Sequence, residues 1–362
     1  DWADDKGIEP YILTNRLAGS TLRDKYKKKL YACYGCSIAC GCEIEVDEGP
    51  YKGIKGHAPE YETLAMLGTN CLNDNLESVC KANDICNRYG MDTISVGGTI
   101  SFAMDLYEQG IITKEDTGGI DLSWGNAEAI VKLTELIAKN EGFGKVLAEG
   151  TRKAAEEIGK GSDYAVQVKG LEVPAHDPRA FVSMGVQYAT SNRGACHVNG
   201  LPSSVSQGMI LPVLGISYKT SRFVNKGKGI IDKKIQEVHA IFNSIIVCQF
   251  AALVYGSTDT CRLLKATAGF DYDFKDLIYK CGGRINTLKR LYNIRCGISA
   301  KDDILPKKLI TPLKTGSTAN VVPDLETQLQ EYYKENKWDS NGYPTEERLK
   351  ELGLENEAKY IQ

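Results

Sequence analysis

Three cysteines in the run Cys33-Tyr-Gly-Cys36-Ser-Ile-Ala-Cys40 have the side chains and the spacing to bind a metal cluster. Thiolates at C-x2-C-x3-C spacing on one short loop can bind three corners of an iron–sulfur cube, and a fourth thiolate must then come from elsewhere in the chain. The spacing therefore predicts a [4Fe-4S] cluster and a role in electron transfer.

Two other interpretations of these cysteines are a structural zinc site and unligated thiols. Structural zinc is typically held by two C-x2-C pairs, but this sequence has one such pair, and Cys42 lies too close to Cys40 to complete a tetrahedron. Unligated buried thiols are common, yet three of them at cluster spacing beside a glycine favour ligation. The iron–sulfur interpretation is preferred.

The composition restricts the class of protein that could carry such a cluster. With 362 residues the chain has room for two domains. Its 44 basic and 47 acidic residues give a net charge of −3 and no dominant basic patch, which excludes nucleic acid as a natural partner. No apolar run reaches the ~20 residues of a membrane span, and the acidic first residues do not form a signal peptide. Twelve cysteines without a dense secreted framework indicate a cytoplasmic protein.

The elements that must position the cysteines are mostly helical. Apolar residues at helical spacing, with caps and glycine stops, predict a mainly α fold. The Gly97–Gly98 pair inside one helix predicts the close approach of another backbone. The predicted helices are 76–89, 92–108, one starting after Asn126, 145–158, 233–250, 258–268, 274–292, 324–335, and one capped by Thr345.

Between residues 159 and 193 the helical pattern breaks. Short strand-like pieces at 166–168 and 171–173 are followed by Pro174 and Pro178. We therefore predict a domain boundary near residue 165, with one helical domain at 1–165 that contains the cysteine loop and a second at 166–362.

Five further runs lie along nearly the whole chain. They are Pro59-Glu-Tyr-Glu-Thr63, Lys81-Ala-Asn-Asp-Ile-Cys-Asn-Arg-Tyr-Gly-Met-Asp-Thr-Ile-Ser95, Pro174-Ala-His-Asp-Pro-Arg179, Tyr188-Ala-Thr-Ser-Asn-Arg-Gly-Ala-Cys-His197, and Leu291-Tyr-Asn-Ile-Arg295 through Leu305. These runs resemble, in family order, the aldehyde:ferredoxin oxidoreductase family. The resemblance implies the family's helical domains 2 and 3, and a tungsten (or molybdenum) bis-pterin beside a [4Fe-4S] cluster. Family members begin with a β-rich domain that forms the base of the pterin site. The resemblance implies that this chain starts after that domain, which is therefore expected in cis or in trans.

The resemblance also implies the remaining cofactor residues. It makes Cys248 the fourth cluster ligand, in contact with the pterin as well. The family's D-x-x-G-L-D motif reads Asn87 to Asp92 here, and its D-x-x-G-L-C motif reads Asn243 to Cys248. Both leading aspartates are replaced by asparagine, which offers the pterin an amide in place of a carboxylate.

Glu62 and His197 match the family's acid–base pair near the metal, with Glu60 as the alternative carboxylate. His176 lies where the family more often has an aromatic residue. It is a further candidate for shaping the substrate site or for delivering protons.

The resemblance implies oxidation of an aldehyde to a carboxylic acid, with a small-molecule substrate and with electrons passed to ferredoxin or another iron–sulfur subunit. It also allows a homodimer. Two alternatives stay open. One is the catalytic subunit of an aromatic acyl-thioester (benzoyl-CoA type) or acid reductase. The other is an iron–sulfur relay or scaffold subunit without a catalytic pterin.

Overall fold

The computed structural model describes residues 10–252 and 255–360 and divides into two units. Unit 1 contains the residues up to Ala175 together with Pro306–Asn320, and unit 2 contains His176–Leu305 together with the chain from Val321 onward. The predicted boundary near residue 165 stays a prediction. Both units are mainly helical, as predicted from the sequence.

Unit 1 combines helices with two small antiparallel sheets. Its elements are α1 (Pro10–Arg16), α2 (Gly19–Tyr26), β1 (Lys27–Tyr31), β2 (Gly41–Glu45), β3 (Lys55–His57), α3 (Tyr61–Met66), α4 (Leu76–Tyr89), α5 (Thr93–Glu108), α6 (Ala127–Lys139), α7 (Gly142–Leu147), α8 (Gly150–Ile158), β4 (Gln167–Val168) and β5 (Leu171–Glu172), with 3₁₀ turns at Thr69–Cys71, Ser162–Tyr164 and Lys307–Ile310.

The core of unit 1 lies between its longer helices. Val79 of α4, Ile100 of α5 and Leu133 of α6 are fully buried. A Cβ atom added at Gly97 would lie 2.6 Å from the carbonyl carbon of Met66, so only glycine lets α5 approach α3 this closely. The predicted close approach at the glycine pair is confirmed.

The helix predictions for unit 1 are largely confirmed. Helix α4 has the predicted bounds, and the side chains of Asp92 and Asn126 cap α5 and α6. The predicted single helix at 145–158 is wrong in one respect. Because Gly150 has a φ of +84°, the backbone cannot continue one helix there, and α7 and α8 form instead.

A three-stranded sheet that was not predicted supports the cysteine loop. Strand β2 pairs with β1 and with β3, both antiparallel, and Tyr31 at the end of β1 lies opposite Gly41 at the start of β2. The ring of Tyr31 occupies the space that a side chain at position 41 would need, which makes glycine necessary there.

Unit 2 is built around one long helix. Its elements are α9 (Ser183–Thr190), α10 (Ser203–Gln207), α11 (Lys228–Ser244), α12 (Gln249–Ala252), α13 (Ser257–Ala268), α14 (Phe274–Asp276), a π-helical turn (Leu277–Gly282), α15 (Gly283–Arg295), α16 (Leu325–Asn336) and α17 (Glu346–Glu351), with 3₁₀ turns at Pro212–Leu214, Ala300–Asp302 and Glu355–Tyr360.

The long helix α11 packs closely against α16, where Gly229 leaves room for the backbone of Gln328. The predicted helix at 233–250 is wrong in its last turns. Helix α11 ends at Ser244, because Ile246 has a φ of +58°, and the short helix α12 begins at Gln249. Cys248 therefore lies on the connection between two helices.

None of the described helices combines the length and the apolar content that a bilayer span requires.

Candidate functional site

The three cysteines lie on the irregular connection between β1 and β2. The loop contains a turn in which the backbone N–H of Cys36 donates to the carbonyl oxygen of Cys33 at 3.0 Å. Cys33 and Cys40 are exposed, Cys36 is half-buried, and none of the three is in a disulfide. Three accessible thiols on one short turn are a donor set that fits an iron–sulfur cluster.

A tyrosine–histidine pair lies at the base of this loop. The hydroxyl of Tyr31, at the end of β1, is 2.6 Å from Nδ1 of His57 in β3, and the ring centroids are 5.2 Å apart. The amide of Asn83 on α4 donates to the carbonyl oxygen of His57 at 3.1 Å. Sequence reasoning missed this pair, because it depends on the pairing of strands that were not predicted.

Glu62 lies in the first turn of α3 and is half-buried. Its Oε2 accepts a hydrogen bond of 2.9 Å from the backbone N–H of Ala175. The hydroxyl of the neighbouring Tyr61 donates to the carbonyl oxygen of Ala175 at 3.4 Å. Both backbone polar groups of Ala175 are therefore hydrogen-bonded to side chains of α3. Glu60 is exposed and immediately precedes the helix.

Asn87 and Asp92 flank the short connection between α4 and α5. Asn87 is exposed in the last turn of α4, and Gly90 ends that helix with a φ of +71°. Asp92 accepts a hydrogen bond of 2.8 Å from the backbone N–H of Ile94 and thereby caps α5. One carboxylate oxygen of Asp92 therefore has a structural role, and the amide of Asn87 is open to solvent.

In unit 2, His197 lies on the segment that joins α9 to α10, and several contacts order this segment. Its imidazole stacks on that of His176, with the ring centroids 5.0 Å apart and the planes at 17°. The hydroxyl of Tyr188 donates to the carbonyl oxygen of His176 at 2.9 Å. The amide of Asn199 donates to the hydroxyl of Ser191 at 2.9 Å and closes the segment on itself. Both imidazoles are half-buried.

Asn243 and Cys248 lie on either side of Ile246, whose backbone is in the left-handed conformation. Asn243 is exposed near the end of α11, and Cys248 is an exposed free thiol whose carbonyl oxygen accepts from the N–H of Ala252 at 2.9 Å. The sequence prediction placed Cys248 inside a helix, whereas the structure places it on an accessible turn. Its thiol is therefore open to a ligand.

The chain is similar to a known family and to individual proteins within it. The family model described as "Aldehyde ferredoxin oxidoreductase, domains 2 & 3" matches residues 5–354. A "Tungsten-containing aldehyde ferredoxin oxidoreductase" of Pyrococcus abyssi is 38% identical over 350 residues, which cover 93% of this chain and 55% of that protein. An "Aliphatic sulfonate oxidoreductase, WOR-like subunit" of Pyrococcus furiosus is 33% identical over 347 residues, covering 92% and 51%.

Among solved structures, the "Active site complex BamBC of Benzoyl Coenzyme A reductase in complex with 1,5 Dienoyl-CoA" is similar to this chain with a TM-score of 0.74 and 25% identity. The similarity covers 94% of this chain and 55% of that one. The chain spans about half the length of the curated relatives that it matches.

Proposed function

Because the chain belongs to the aldehyde ferredoxin oxidoreductase family and corresponds to its domains 2 and 3, we propose that it forms the helical part of a tungsten-dependent enzyme that oxidises an aldehyde to a carboxylic acid. The aldehyde gains its second oxygen from water and releases two protons and two electrons. When bound, a tungsten (or molybdenum) bis-pterin supplies the two-electron redox chemistry, and a [4Fe-4S] cluster supplies single-electron transfer to a ferredoxin or another iron–sulfur subunit.

The loop between β1 and β2 is the observation that carries this proposal. Cys33, Cys36 and Cys40 would hold the cluster, with Cys248 as the fourth ligand. All four thiols are free, and each lies on a connection outside the long helices, where the backbone can adapt to a ligand. Asp92 and the exposed amides of Asn87 and Asn243 would contact the pterins, as would Cys248. The N-terminal β domain of the family would complete the pterin pocket, in cis or in trans.

Glu62 and His197 are the proposed acid–base groups. The N–H of Ala175 fixes one oxygen of Glu62, and the ring of His176 stacks on the imidazole of His197, so both groups are held in defined orientations before a substrate binds. Glu62 is preferred to Glu60 because it is half-buried, and a carboxylate shielded from water is the better proton acceptor for a bound substrate. The substrate would be a small aldehyde, and the enzyme would act in the cytoplasm, as a monomer or a homodimer.

The test uses the full-length protein, purified without oxygen from cells supplied with tungsten. We expect about four iron atoms per chain, tungsten, and aldehyde oxidation with a viologen acceptor. Cys36→Ser should lower the iron content and remove the activity. Cys42→Ser, a matched control two residues beyond Cys40, should leave both unchanged. Iron content that is equal in the two variants would contradict the cluster assignment.

The acyl-thioester reductase is the second candidate, favoured by the structural similarity to a benzoyl-CoA reductase complex. The same preparation distinguishes the candidates. Turnover with an aromatic acyl-thioester and none with aldehydes would support the reductase. Iron without tungsten or molybdenum would support the relay subunit.

A further inference from the structure

Two glutamine side chains hold the backbone on either side of His197. On one side, Nε2 of Gln187 in α9 donates to the carbonyl oxygen of Cys196 at 2.7 Å. On the other side, Nε2 of Gln249 donates to the carbonyl oxygen of Val198 at 3.0 Å. Both acceptors belong to residues adjacent to His197, so these two bonds fix the backbone from which its imidazole projects.

Gln249 follows Cys248 directly in the sequence. The bond from Gln249 to Val198 therefore joins the residue after the proposed cluster ligand to the residue after the proposed acid–base histidine. All four residues belong to unit 2. A single side-chain amide thus links two segments that are far apart along the chain.

A third group, His239 of α11, completes this contact. Its Nδ1 lies 2.9 Å from Nε2 of Gln249 and 3.1 Å from the carbonyl oxygen of Val198. The carbonyl oxygen can only accept, so the Gln249 amide must present its N–H₂ group and not its oxygen. The second N–H group lies toward Nδ1 of His239. Nδ1 accepts from this group in the neutral Nε2–H tautomer, and the carbonyl oxygen of Val198 is then bound by the Gln249 amide alone.

The surroundings of His239 favour this neutral state, because burial lowers the pKa of its imidazole. In the Nδ1–H tautomer the ring would instead donate to the carbonyl oxygen of Val198, and its N–H would oppose the Gln249 N–H group 2.9 Å away.

We propose that His239 and Gln249 are positioning residues that hold the His197 segment and the Cys248 segment in one fixed arrangement, with His239 as the neutral Nε2–H tautomer. Neither side chain needs to touch the substrate. This inference rests on the proposed roles of His197 and Cys248, since it connects the group that moves protons to a ligand of the group that accepts electrons. Loss of the link would displace both, and a displacement of about 1 Å can reduce turnover about 100-fold.

The experiment compares three variants in the full-length, cofactor-loaded protein. Gln249→Leu removes both N–H groups. His239→Leu removes the acceptor, whereas His239→Asn places an amide oxygen near the position of Nδ1 and can still accept from Gln249. Gln330→Leu, an exposed glutamine on α16, is the control.

The first readout is hydrogen–deuterium exchange of a peptide covering residues 194–200, which requires no cofactor. We expect exchange at least about ten times faster in Gln249→Leu and His239→Leu, and wild-type exchange in His239→Asn and the control. The second readout is the midpoint potential of the cluster together with kcat. We expect both to change in the two leucine variants, and we expect His239→Asn to restore them.

Unchanged exchange in Gln249→Leu and His239→Leu would refute the positioning pair. If His239→Asn accelerated the exchange and changed kcat as much as His239→Leu, the tautomer assignment would be refuted. Wild-type protein that lacks iron and aldehyde oxidation would refute the proposed function instead, and the exchange measurement would still decide whether the two residues hold the His197 segment. Because the comparison of the two His239 variants is decisive by itself, a Gln249→Leu protein that failed to fold would not remove the test.

Discussion

Glu237 on α11 provides the sharpest test of the energetics of unit 2. Its Oε2 lies 3.0 Å from Nζ of Lys233, and its Oε1 lies 3.6 Å from Nη2 of Arg348. The Glu237 side chain is 1% exposed and that of Lys233 is 5% exposed. Burial raises the pKa of Glu237 to about 7, and the two cations only partly offset this effect. We predict that Glu237→Gln stabilises the protein at and above neutral pH.

The magnitude follows from the two pKa values. In the unfolded chain Glu237 titrates near its ordinary value of 4.5, whereas in the folded chain it titrates at about 7. Between these pH values the folded state keeps a proton that the unfolded state has lost, so the free energy of unfolding of the wild type falls as the pH rises through this window. At about 1.36 kcal/mol for each pKa unit, the loss is about 3 kcal/mol. Glutamine does not titrate and avoids this loss. Below the folded-state pKa the wild-type carboxyl is already neutral, so the variant leaves Lys233 with the same neutral neighbour that it has in the wild type at low pH.

The assay is guanidinium unfolding at pH 4.5, 6 and 8, followed by tryptophan fluorescence, to which Trp338, buried in unit 2, contributes. Variant and wild type should be similar in stability at pH 4.5, and the variant should be more stable by about 3 kcal/mol at pH 8. The control is Glu326→Gln, which removes an exposed carboxylate on α16. A variant that is less stable than wild type at pH 8 would refute the reasoning, because it would show that the ion pair outweighs the burial of its charges.

Three further substitutions test the packing and backbone of the two units. Gly97→Ala should destabilise unit 1 by about 1–3 kcal/mol, because its Cβ would meet the backbone of Met66 at 2.6 Å, and a thermal melt with an unchanged midpoint would contradict this contact. Asp303→Asn should lower the free energy of unfolding, measured in guanidinium, by about 3–5 kcal/mol. The fully buried guanidinium of Arg290 lies 2.9 Å from a carboxylate oxygen of Asp303, and the variant leaves it without a counter-charge. Ile246→Gly should raise the free energy of unfolding by up to about 1 kcal/mol, because glycine adopts a φ of +58° without strain and the lost side chain is 91% exposed. A loss of stability would show that the exposed isoleucine packs against something in solution.

Helices with strong local signals could be predicted from the sequence. The bounds of α4 and the caps of α5 and α6 follow from a polar cap residue, apolar residues at helical spacing and a C-terminal glycine or asparagine, all within one segment. The cap at Thr345 was predicted for the same reason. The spacing of Cys33, Cys36 and Cys40 is also a local signal. The family resemblance added the other candidate site residues, which local signals alone would not have identified.

The sheet that supports the cysteine loop could not be predicted in this way. Lys27, Lys28 and Lys29 of β1 are exposed, so the strand lacks the alternation of apolar and polar residues that marks a half-buried strand. Its stability comes from pairing with β2, including an ion pair of 3.2 Å between Lys29 and Glu43. Such pairing joins segments on either side of a loop, and the sequence of one strand alone does not predict it.

The turn at Ile246, which ends α11 and was not predicted, positions two residues of the proposed site. A β-branched residue at φ +58° is strained, and such strain persists only where the surrounding structure maintains it. Here the N–H of Val247 donates to the carbonyl oxygen of Phe242 at 2.9 Å, which closes the turn around Ile246. Without this turn α11 would continue, and Cys248 and Gln249 would lie on successive faces of a helix. The strained turn instead exposes the thiol of Cys248 while the next side chain turns inward to hold the His197 segment. The backbone conformation at Ile246 thus lets the proposed cluster ligand Cys248 face solvent while the adjacent Gln249, the proposed positioning residue, contacts the His197 segment.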